Sequence, residues 1–242
     1  MTKYLFSVDG IPVNIYPVCE LSMVKTPLLF EGEKGAVNVA LLSDSDADFR
    51  IEYFDENNHR PREPHLALAA LSCFFSRVRG YPDMRLDIAY GDKIFKLTLD
   101  KYNGYNFLVN IGKCKNICAK TVDFLDGVSV NCDILQTPDV CAVLMCDDAK
   151  CFSTERIRLL FDRIRPSGAK SLIALSSGDK YAIVTVGDIY PHEAVRVALS
   201  QHLPYLPDAQ SGVSEMLVDG TPSRFSLSPR GITFYPEIKY IS

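Results

Sequence analysis

Short segments in which apolar and polar residues alternate recur along most of this chain, and that spacing is typical of half-buried β-strands. Residues 49–54 read FRIEYF, whereas residues 37–42, VNVALL, are apolar without interruption. A hairpin is predicted over residues 85–99, turning at Gly91-Asp92. Further strands are predicted at residues 105–111, 127–135, 140–146, 172–176 and 181–186. The tail contains three more, residues 215–220, 224–229 and 232–241, which Gly and Pro turns separate.

Three segments have helical periodicity instead. Residues 65–75, HLALAALSCFF, have almost no polar face, and a helix that is apolar all round is buried on every side. Residues 153–164 form an amphipathic helix capped by Ser153 or Thr154, and residues 192–203 form a helix made more polar by Glu193 and Arg196. Many short strands with few helices predict an α+β fold of curved, mainly antiparallel sheets, each around a central helix.

The chain also contains an internal repeat. Residues 35–48, GAVNVALLSDSDAD, match residues 168–181, GAKSLIALSSGDKY, at an offset of 133. A Pro-His pair then begins a helix in each copy, as Pro64-His65 and as Pro191-His192. We therefore expect two pseudo-symmetric lobes, residues 1–120 and 121–242, and leave open whether the last strand returns to the first lobe. A cleft between lobes is a common place for a small-molecule site.

Composition narrows the classes of function. The chain has 242 residues, of which 47% are hydrophobic and 23% charged, as in ordinary soluble proteins. A net charge of −4, with no basic stripe, argues against nucleic acid as a partner. The first residues, MTKYLFSVDG, do not resemble a signal peptide, and no apolar run reaches the roughly 20 residues that span a bilayer. We expect a cytoplasmic protein without a membrane partner.

Eight cysteines are expected to be reduced thiols, because no secretion signal is present. Cys141, Cys146 and Cys151 recur every five residues, a spacing that fits neither a zinc knuckle nor one face of a strand. The simpler interpretation is that these cysteines act as small apolar residues in the core. We accordingly predict neither a metal ion nor a cofactor.

Residues 43–58, SDSDADFRIEYFDENN, resemble a signature of the diaminopimelate epimerases. The segment Ala47-Asp48-Phe49 and Phe54 match that signature, whereas Asp55 and Asn57-Asn58 replace its Asn and Asp-Gly. Looser similarities follow at residues 137–140, 165–169 and 218–240. Pro64-His65 is similar to the Gly-His that begins the first helix in the related phenazine-biosynthesis isomerase-like branch.

This resemblance implies the two-lobed fold, a homodimer, and cofactor-free racemisation of an amino-acid α-carbon. In the family, two cysteines at the starts of the two central helices exchange protons with the substrate. A helix start lowers the pKa of a thiol and also holds the substrate carboxylate. At the matching positions this sequence has Glu63 and Tyr190, and prolines and bulkier residues replace the family's glycines.

Three functional interpretations remain open. Glu63 and Tyr190 could replace the thiols as an acid–base pair. A shifted site could use His65, His192, Glu193 or Asp55 to isomerise another substrate. The third is a protein without racemase activity that binds a small amino-acid-like or carboxylate ligand or a partner. The residues that the sequence predicts to bind a ligand are Asp55, Asn57, Asn58, Asp188 and Glu193.

Each of these residues also has a purely structural interpretation. Glu63 is favoured near a helix start by the helix dipole. His65 and His192 could bond to the helix starts, and Tyr190 could pack between lobes. Asp55 and Asp188 each follow a strand, where aspartate commonly organises a turn. Asn57 and Asn58 could belong to a solvated loop.

Overall fold

The computed structural model contains three α-helices and sixteen strands among the residues it describes. Those residues are 2–18, 35–82, 84–99, 109–110, 115–123, 127, 129–137, 141–145, 154–165, 168–176, 182–187, 189–202, 213–228 and 231–242. Within this part of the chain, no helix combines the length and the apolar content needed to cross a membrane.

The elements, in chain order, are β1 Tyr4–Val8, β2 Ile11–Pro17, β3 Val37–Leu42, β4 Phe49–Phe54, α1 His65–Cys73, β5 Arg85–Tyr90, β6 Lys93–Thr98, β7 Val109–Asn110, β8 Lys115–Asp123, β9 Ser129–Gln136, β10 Cys141–Met145, α2 Thr154–Ile164, β11 Ser171–Ser176, β12 Ala182–Gly187, α3 Pro191–His202, β13 Val213–Val218, β14 Thr221–Ser228, β15 Gly231–Tyr235 and β16 Ile238–Tyr240. A π-helical turn, Phe74–Val78, continues α1.

The chain divides into two compact units. Unit 1 comprises Met1–Leu108 together with Pro236–Ser242, and unit 2 comprises Val109–Tyr235. The chain therefore first passes from unit 1 to unit 2 between residues 108 and 109. The sequence predicted this boundary between residues 120 and 121. The final strand, β16, pairs antiparallel with β1 and so belongs to the sheet of unit 1.

Unit 1 is a seven-stranded sheet in the order β16-β1-β2-β3-β4-β5-β6, with α1 against one face. All nine residues of α1 are buried. The apolar sequence of this helix predicted that result, because no side of it is polar enough to face water. On the opposite face of the sheet, Ala40 and Leu42 pack with Val18 and Phe54 in a separate apolar cluster.

Unit 2 is a nine-stranded sheet in the order β7-β15-β14-β13-β12-β11-β10-β9-β8. Helix α2 buries Ile157, Leu160 and Phe161 against Leu172 and Ala174 of β11. Successive side chains of a strand point to opposite faces, so Ser171 and Ile173 lie on the other face, where α3 packs against β11. The central strand is therefore covered on both sides.

The pairing pattern confirms the duplication. From β16 to β6, neighbouring strands of unit 1 pair antiparallel, antiparallel, parallel, antiparallel, parallel and antiparallel. From β8 to β14, the strands of unit 2 follow the same series. Helices α1 and α3 occupy the same place in the two series, between β4 and β5 and between β12 and β13. Both sheets are mainly antiparallel, as predicted.

In the central strands β3 and β11, however, residues that match at offset 133 lie on opposite faces of their sheets relative to the packed helix. Ring contacts join Tyr4 to Phe74 and Phe49 to Phe75, which places α1 on the face of β3 that carries Val39. Asn38 therefore points away from α1, whereas Ser171, its match at offset 133, lies on the α3 face. A shift of one residue moves a side chain to the other face of a sheet.

This difference of face arises because the two strands begin at different distances from the matching glycines. Gly35 and Gly168 share a left-handed conformation, with φ of 88° and 87°. Strand β3 begins two residues after the first glycine, but β11 begins three residues after the second. The repeat therefore identifies the duplicated topology correctly, and its residue matches do not identify structurally equivalent side chains.

Gly187 makes the tightest backbone approach among the described glycines. Its φ is +98°, and a Cβ at this position would lie 2.4 Å from the carbonyl oxygen of Lys170. Because both the strain and the clash involve the backbone, Gly187→Ala is expected to lower the free energy of unfolding by about 2 kcal/mol, measured by urea titration. Gly91→Ala is the matched control, since its Cβ would meet nothing within 4 Å. Equal losses in the two variants would contradict this account.

Asp44 organises the polar turn between β3 and β4. Its carboxylate accepts hydrogen bonds from the backbone N–H groups of Asp46 and Ala47 and from Arg50 Nε. The bond from the Asp46 N–H, followed by that from Arg50, lowers the pKa of Asp44 below its usual value.

A lowered folded-state pKa stabilises the fold above the unfolded-state pKa of aspartate, near 4, and this stabilisation is lost as pH falls through the folded-state value. We expect Asp44→Asn to be less stable than wild type at pH 7 and the difference to shrink below about pH 4. Thermal unfolding across this pH range would measure it. Asp46→Asn, which alters an exposed neighbouring carboxylate, is the control, and a gap that stays constant with pH would refute the assignment.

Candidate functional site

The start of α1 presents a carboxylate and an imidazole side by side. Pro64 precedes the helix, and its carbonyl accepts the first helical bond, from the N–H of Leu68. Glu63 Oε2 lies 3.0 Å from His65 Nε2, a hydrogen-bond distance. The Glu63 side chain is 22% exposed and that of His65 is 10% exposed. Solvent therefore reaches the carboxylate, while the imidazole that orients it is nearly enclosed.

The loop that leads to this pair is organised by Asp55. Its Oδ1 accepts the N–H groups of Asn57, at 3.0 Å, and His59, at 2.7 Å. Asn57 and Asn58 are exposed, and Asn58 has a φ of 62°, in the left-handed region that asparagine tolerates. Asp55 thus has the turn-forming contacts of its structural interpretation. Its role in ligand binding remains a prediction, as do those of Asn57 and Asn58.

The start of α3 combines aromatic rings with buried charge. The Tyr190 carbonyl accepts the N–H of Ala194, and the Tyr190 ring stacks on the His192 ring with centroids 5.7 Å apart. The His192 ring also lies 6.1 Å from the ring of Phe234 in β15. Tyr190 is half-buried, whereas His192 is buried. The helix start and one strand of unit 2 thereby hold this imidazole in place.

Glu193, in the first turn of α3, forms an ion pair with Arg196. Arg196 Nη1 donates to Glu193 Oε1 at 3.2 Å, and the two side chains are 6% and 3% exposed, respectively. His192 Nε2 lies 3.8 Å from the same carboxylate oxygen. In a buried ion pair, the attraction between the two charges offsets their loss of hydration, and removing one charge leaves the other buried and uncompensated. The polar residues that the sequence placed on α3 are therefore inside the protein.

None of the described cysteines is a residue of a helix start. Cys73 is the last residue of α1, and burial raises the pKa of its thiol. Cys132 is buried in the cluster beneath α2, and Cys118 is exposed on β8. Cys19, Cys114, Cys146 and Cys151 lie outside the described residues, and only the backbone of Cys141 is described. A buried thiol with a raised pKa is a poor proton acceptor.

The structure brings together Glu63 with His65 in unit 1, and Tyr190 with His192 and Glu193 in unit 2. Asp188 lies outside the described residues. Sequence reasoning did not assign Arg196 or Phe234 to the site. The spacing of Glu193 and Arg196, three residues apart on a helix, was the available signal for a pair. No sequence pattern linked Phe234 to His192, because 42 residues separate them.

Comparison with known proteins gives a fold. No protein-family model and no curated protein matches the chain. A protein described as a predicted epimerase, from Pseudomonas aeruginosa, superimposes with a TM-score of 0.64 at 14% identity, over 100% of this chain and 98% of that one. A phenazine biosynthesis protein of the PhzF family from Enterococcus faecalis gives a TM-score of 0.61 at 10% identity, over 100% and 98%.

A hydroxyproline epimerase from Agrobacterium vitis, with trans-4-hydroxy-L-proline bound, gives a TM-score of 0.56 at 9% identity, over 99% of this chain and 90% of that one. The chain therefore has the diaminopimelate epimerase-like fold, as the sequence resemblance predicted. At these identities the comparison concerns the fold, and function has to be argued from the side chains.

Proposed function

We propose that this protein is a cofactor-independent isomerase that moves a proton on a small, amino-acid-like carbonyl compound, with Glu63 as its base. The observation that carries the proposal is the contact between Glu63 and His65 at the start of α1, 3.0 Å long. A general base needs access to the substrate and a fixed orientation. The partial exposure of the Glu63 side chain provides the access, and the contact with His65 fixes the orientation of the carboxylate.

The reaction requires one base that acts twice. As the C–H bond next to the carbonyl breaks, the proton passes to the Glu63 carboxylate and the electron pair moves onto the carbonyl oxygen. The protonated Glu63 then returns a proton to the enolate: to the far carbon where a C=C bond is conjugated with it, which isomerises the compound, and otherwise to the original carbon, which exchanges its hydrogen with solvent. No oxidant or cofactor enters the balance. His65 is the positioning residue, because it bonds to Glu63 and is itself held in a buried helix.

Exchange of substrate hydrogen with deuterated water tests this function. Proton NMR of a panel of amino acids, amino amides and hydroxy acids should show loss of the α-hydrogen signal for at least one compound with the wild-type protein. Glu63→Gln should slow that exchange at least a hundredfold, about 2.7 kcal/mol in the barrier. Glutamine keeps the shape of the side chain and cannot take up the proton.

Glu56→Gln is the matched control, because it removes a carboxylate from the same loop away from the helix start. Retained exchange in Glu63→Gln would exclude Glu63 as the base. Absence of exchange across the whole panel would exclude the isomerase.

The second candidate is a ligand-binding protein without catalysis. Proline lies at both helix starts, Pro64 and Pro191, and each removes a backbone N–H that a substrate carboxylate would use. In that case a ligand should raise the melting temperature of wild type and of Glu63→Gln equally, with no hydrogen exchange in either.

A further inference from the structure

The loop of residues 55–63 leads from β4 to the start of α1, and its first half closes on itself. Asp55 accepts the backbone N–H groups of Asn57 and His59, and its own N–H donates to the carbonyl of His59. These bonds fix the shape of the turn, but they do not reach the residues next to Glu63.

Tyr90 anchors the second half of this loop. Its hydroxyl donates a hydrogen bond to the carbonyl of Pro61, two residues before Glu63. Tyr90 is the last residue of β5, so the bond joins the loop to the sheet of unit 1. Arg60 also contacts Glu52, at 2.8 Å, but the Arg60 side chain is 59% exposed. Exposed ion pairs contribute little, and the bond from Tyr90 is therefore the firmer of these two contacts.

The ring of Tyr90 has a fixed place in the sheet. It lies edge-on to the ring of Tyr53 in β4, with centroids 6.0 Å apart, and 6.5 Å from the ring of Phe95 in β6. Tyr53 is 1% exposed, and Tyr90 is half-buried. A side chain that both neighbouring strands already hold loses little further entropy when its hydroxyl makes a bond. The sheet therefore fixes the position of the Pro61 carbonyl through this ring.

Two prolines restrict the chain between this bond and the helix. Pro61 and Pro64 each have a restricted φ, and the residue before a proline, here Glu63, favours extended backbone. Only the torsions of Arg62 and Glu63 separate the carbonyl of Pro61 from Pro64. From the helix side, His65 Nε2 lies 3.0 Å from the Glu63 carboxylate. Glu63 is thus placed between two anchors, one on the sheet and one on the helix.

Removal of a proton depends on such placement, because an error of about 1 Å at a reacting group can slow a reaction about a hundredfold. Resting on the proposed function, we infer that Tyr90 is a positioning residue for the base. Its bond to Pro61 sets where the Glu63 carboxylate lies, and Tyr90 acts on the reaction only through Glu63.

Tyr90→Phe removes the hydroxyl and keeps the ring. With a compound whose hydrogen the wild type exchanges, we expect kcat for this exchange to fall at least tenfold and KM to stay within threefold, because misplacing the base affects the reacting step more than binding. Tyr81→Phe is the matched control. It removes a hydroxyl from another half-buried tyrosine of unit 1, beyond the far end of α1, and should leave both constants within twofold. Rates are measured well below the melting temperature of each variant, so that a loss of folded protein does not enter them.

A double variant tests whether Tyr90 acts through the base. Glu63→Gln with Tyr90→Phe should exchange hydrogen as fast as Glu63→Gln alone, within twofold, because effects on one functional unit are not additive. An unchanged kcat in Tyr90→Phe, a loss confined to KM, or the same loss in both backgrounds would overturn the inference and leave Glu63 as the base. Failure of the proposed function gives a different result: absence of exchange in wild type, or full exchange in Glu63→Gln, overturns the base itself and with it the role of Tyr90.

Discussion

Replacing Arg196 with methionine is expected to lower the free energy of unfolding by about 3–5 kcal/mol. Methionine fills a similar volume, so the loss comes from electrostatics and not from a cavity. It leaves the Glu193 carboxylate, 3% exposed, without the guanidinium that lies 3.2 Å away. Chemical denaturation at pH 7 measures the loss.

The double variant Glu193→Gln with Arg196→Met separates charge from packing. With neither charge buried, most of the lost stability should return, because replacing both members of a buried pair is often neutral or favourable. If the double variant is as unstable as Arg196→Met alone, the charge pair is not the cause. Arg158→Met on the exposed side of α2 is the control and should cost less than about 0.5 kcal/mol.

Deleting residues 236–242 is expected to destabilise unit 1 by about 5 kcal/mol or more and to leave unit 2 protected. Besides the β1–β16 ladder, five hydrogen bonds join the segment to the first residues: Asp9 N–H to Glu237 O, Glu237 N–H to Asp9 Oδ1, Leu5 N–H to Ser242 O, and the N–H groups of Ile241 and Ser242 to Leu5 O. Each such bond contributes about 1 kcal/mol net. The deletion also removes the contact between the Phe6 and Tyr240 rings, 5.2 Å apart.

Hydrogen–deuterium exchange followed by mass spectrometry would measure the effect separately in each unit. Faster exchange should be confined to peptides from β1 to β6, whereas peptides from β9 to β15 should be unchanged. Lys239→Gln in the full chain is the control: Lys239 is 65% exposed in its contact with Glu237, and exposed pairs contribute little. Equal loss of protection in both units would show that the two do not open independently.

Most of the strands and all three helices could be predicted from the sequence, because burial leaves a pattern there. The apolar run of α1 and the alternation of β4 are examples, and their positions were confirmed within a few residues. Strand β8 was not predicted, since residues 118–121 of this edge strand are exposed and carry no apolar alternation. Strands β1 and β2 were also missed, although the Asp9-Gly10 turn between them is a hairpin signal.

The candidate site was harder to predict. The sequence identified the two helix starts and therefore Glu63, His65, Tyr190 and His192 as candidates. It did not show that Glu193 and Arg196 would be buried, because charged residues three apart on a helix usually lie on its surface. Nor could identities at offset 133 show which face of β11 carries Ser171, since the strand starts one residue later than its counterpart. The sequence pattern of a segment shows the periodicity of its apolar residues. The contacts of a particular side chain also depend on the register in which its strand or helix packs against its neighbours.

The place of β16 has a consequence for synthesis of the protein. Asp9 and Glu237 are 228 positions apart in the chain, so β1 and β2 leave the ribosome well before β16, the strand that completes their sheet. Unit 2, which is continuous from Val109 to Tyr235, can finish during that interval. On the ribosome, unit 2 is therefore expected to fold before unit 1, although unit 1 contains the earlier strands.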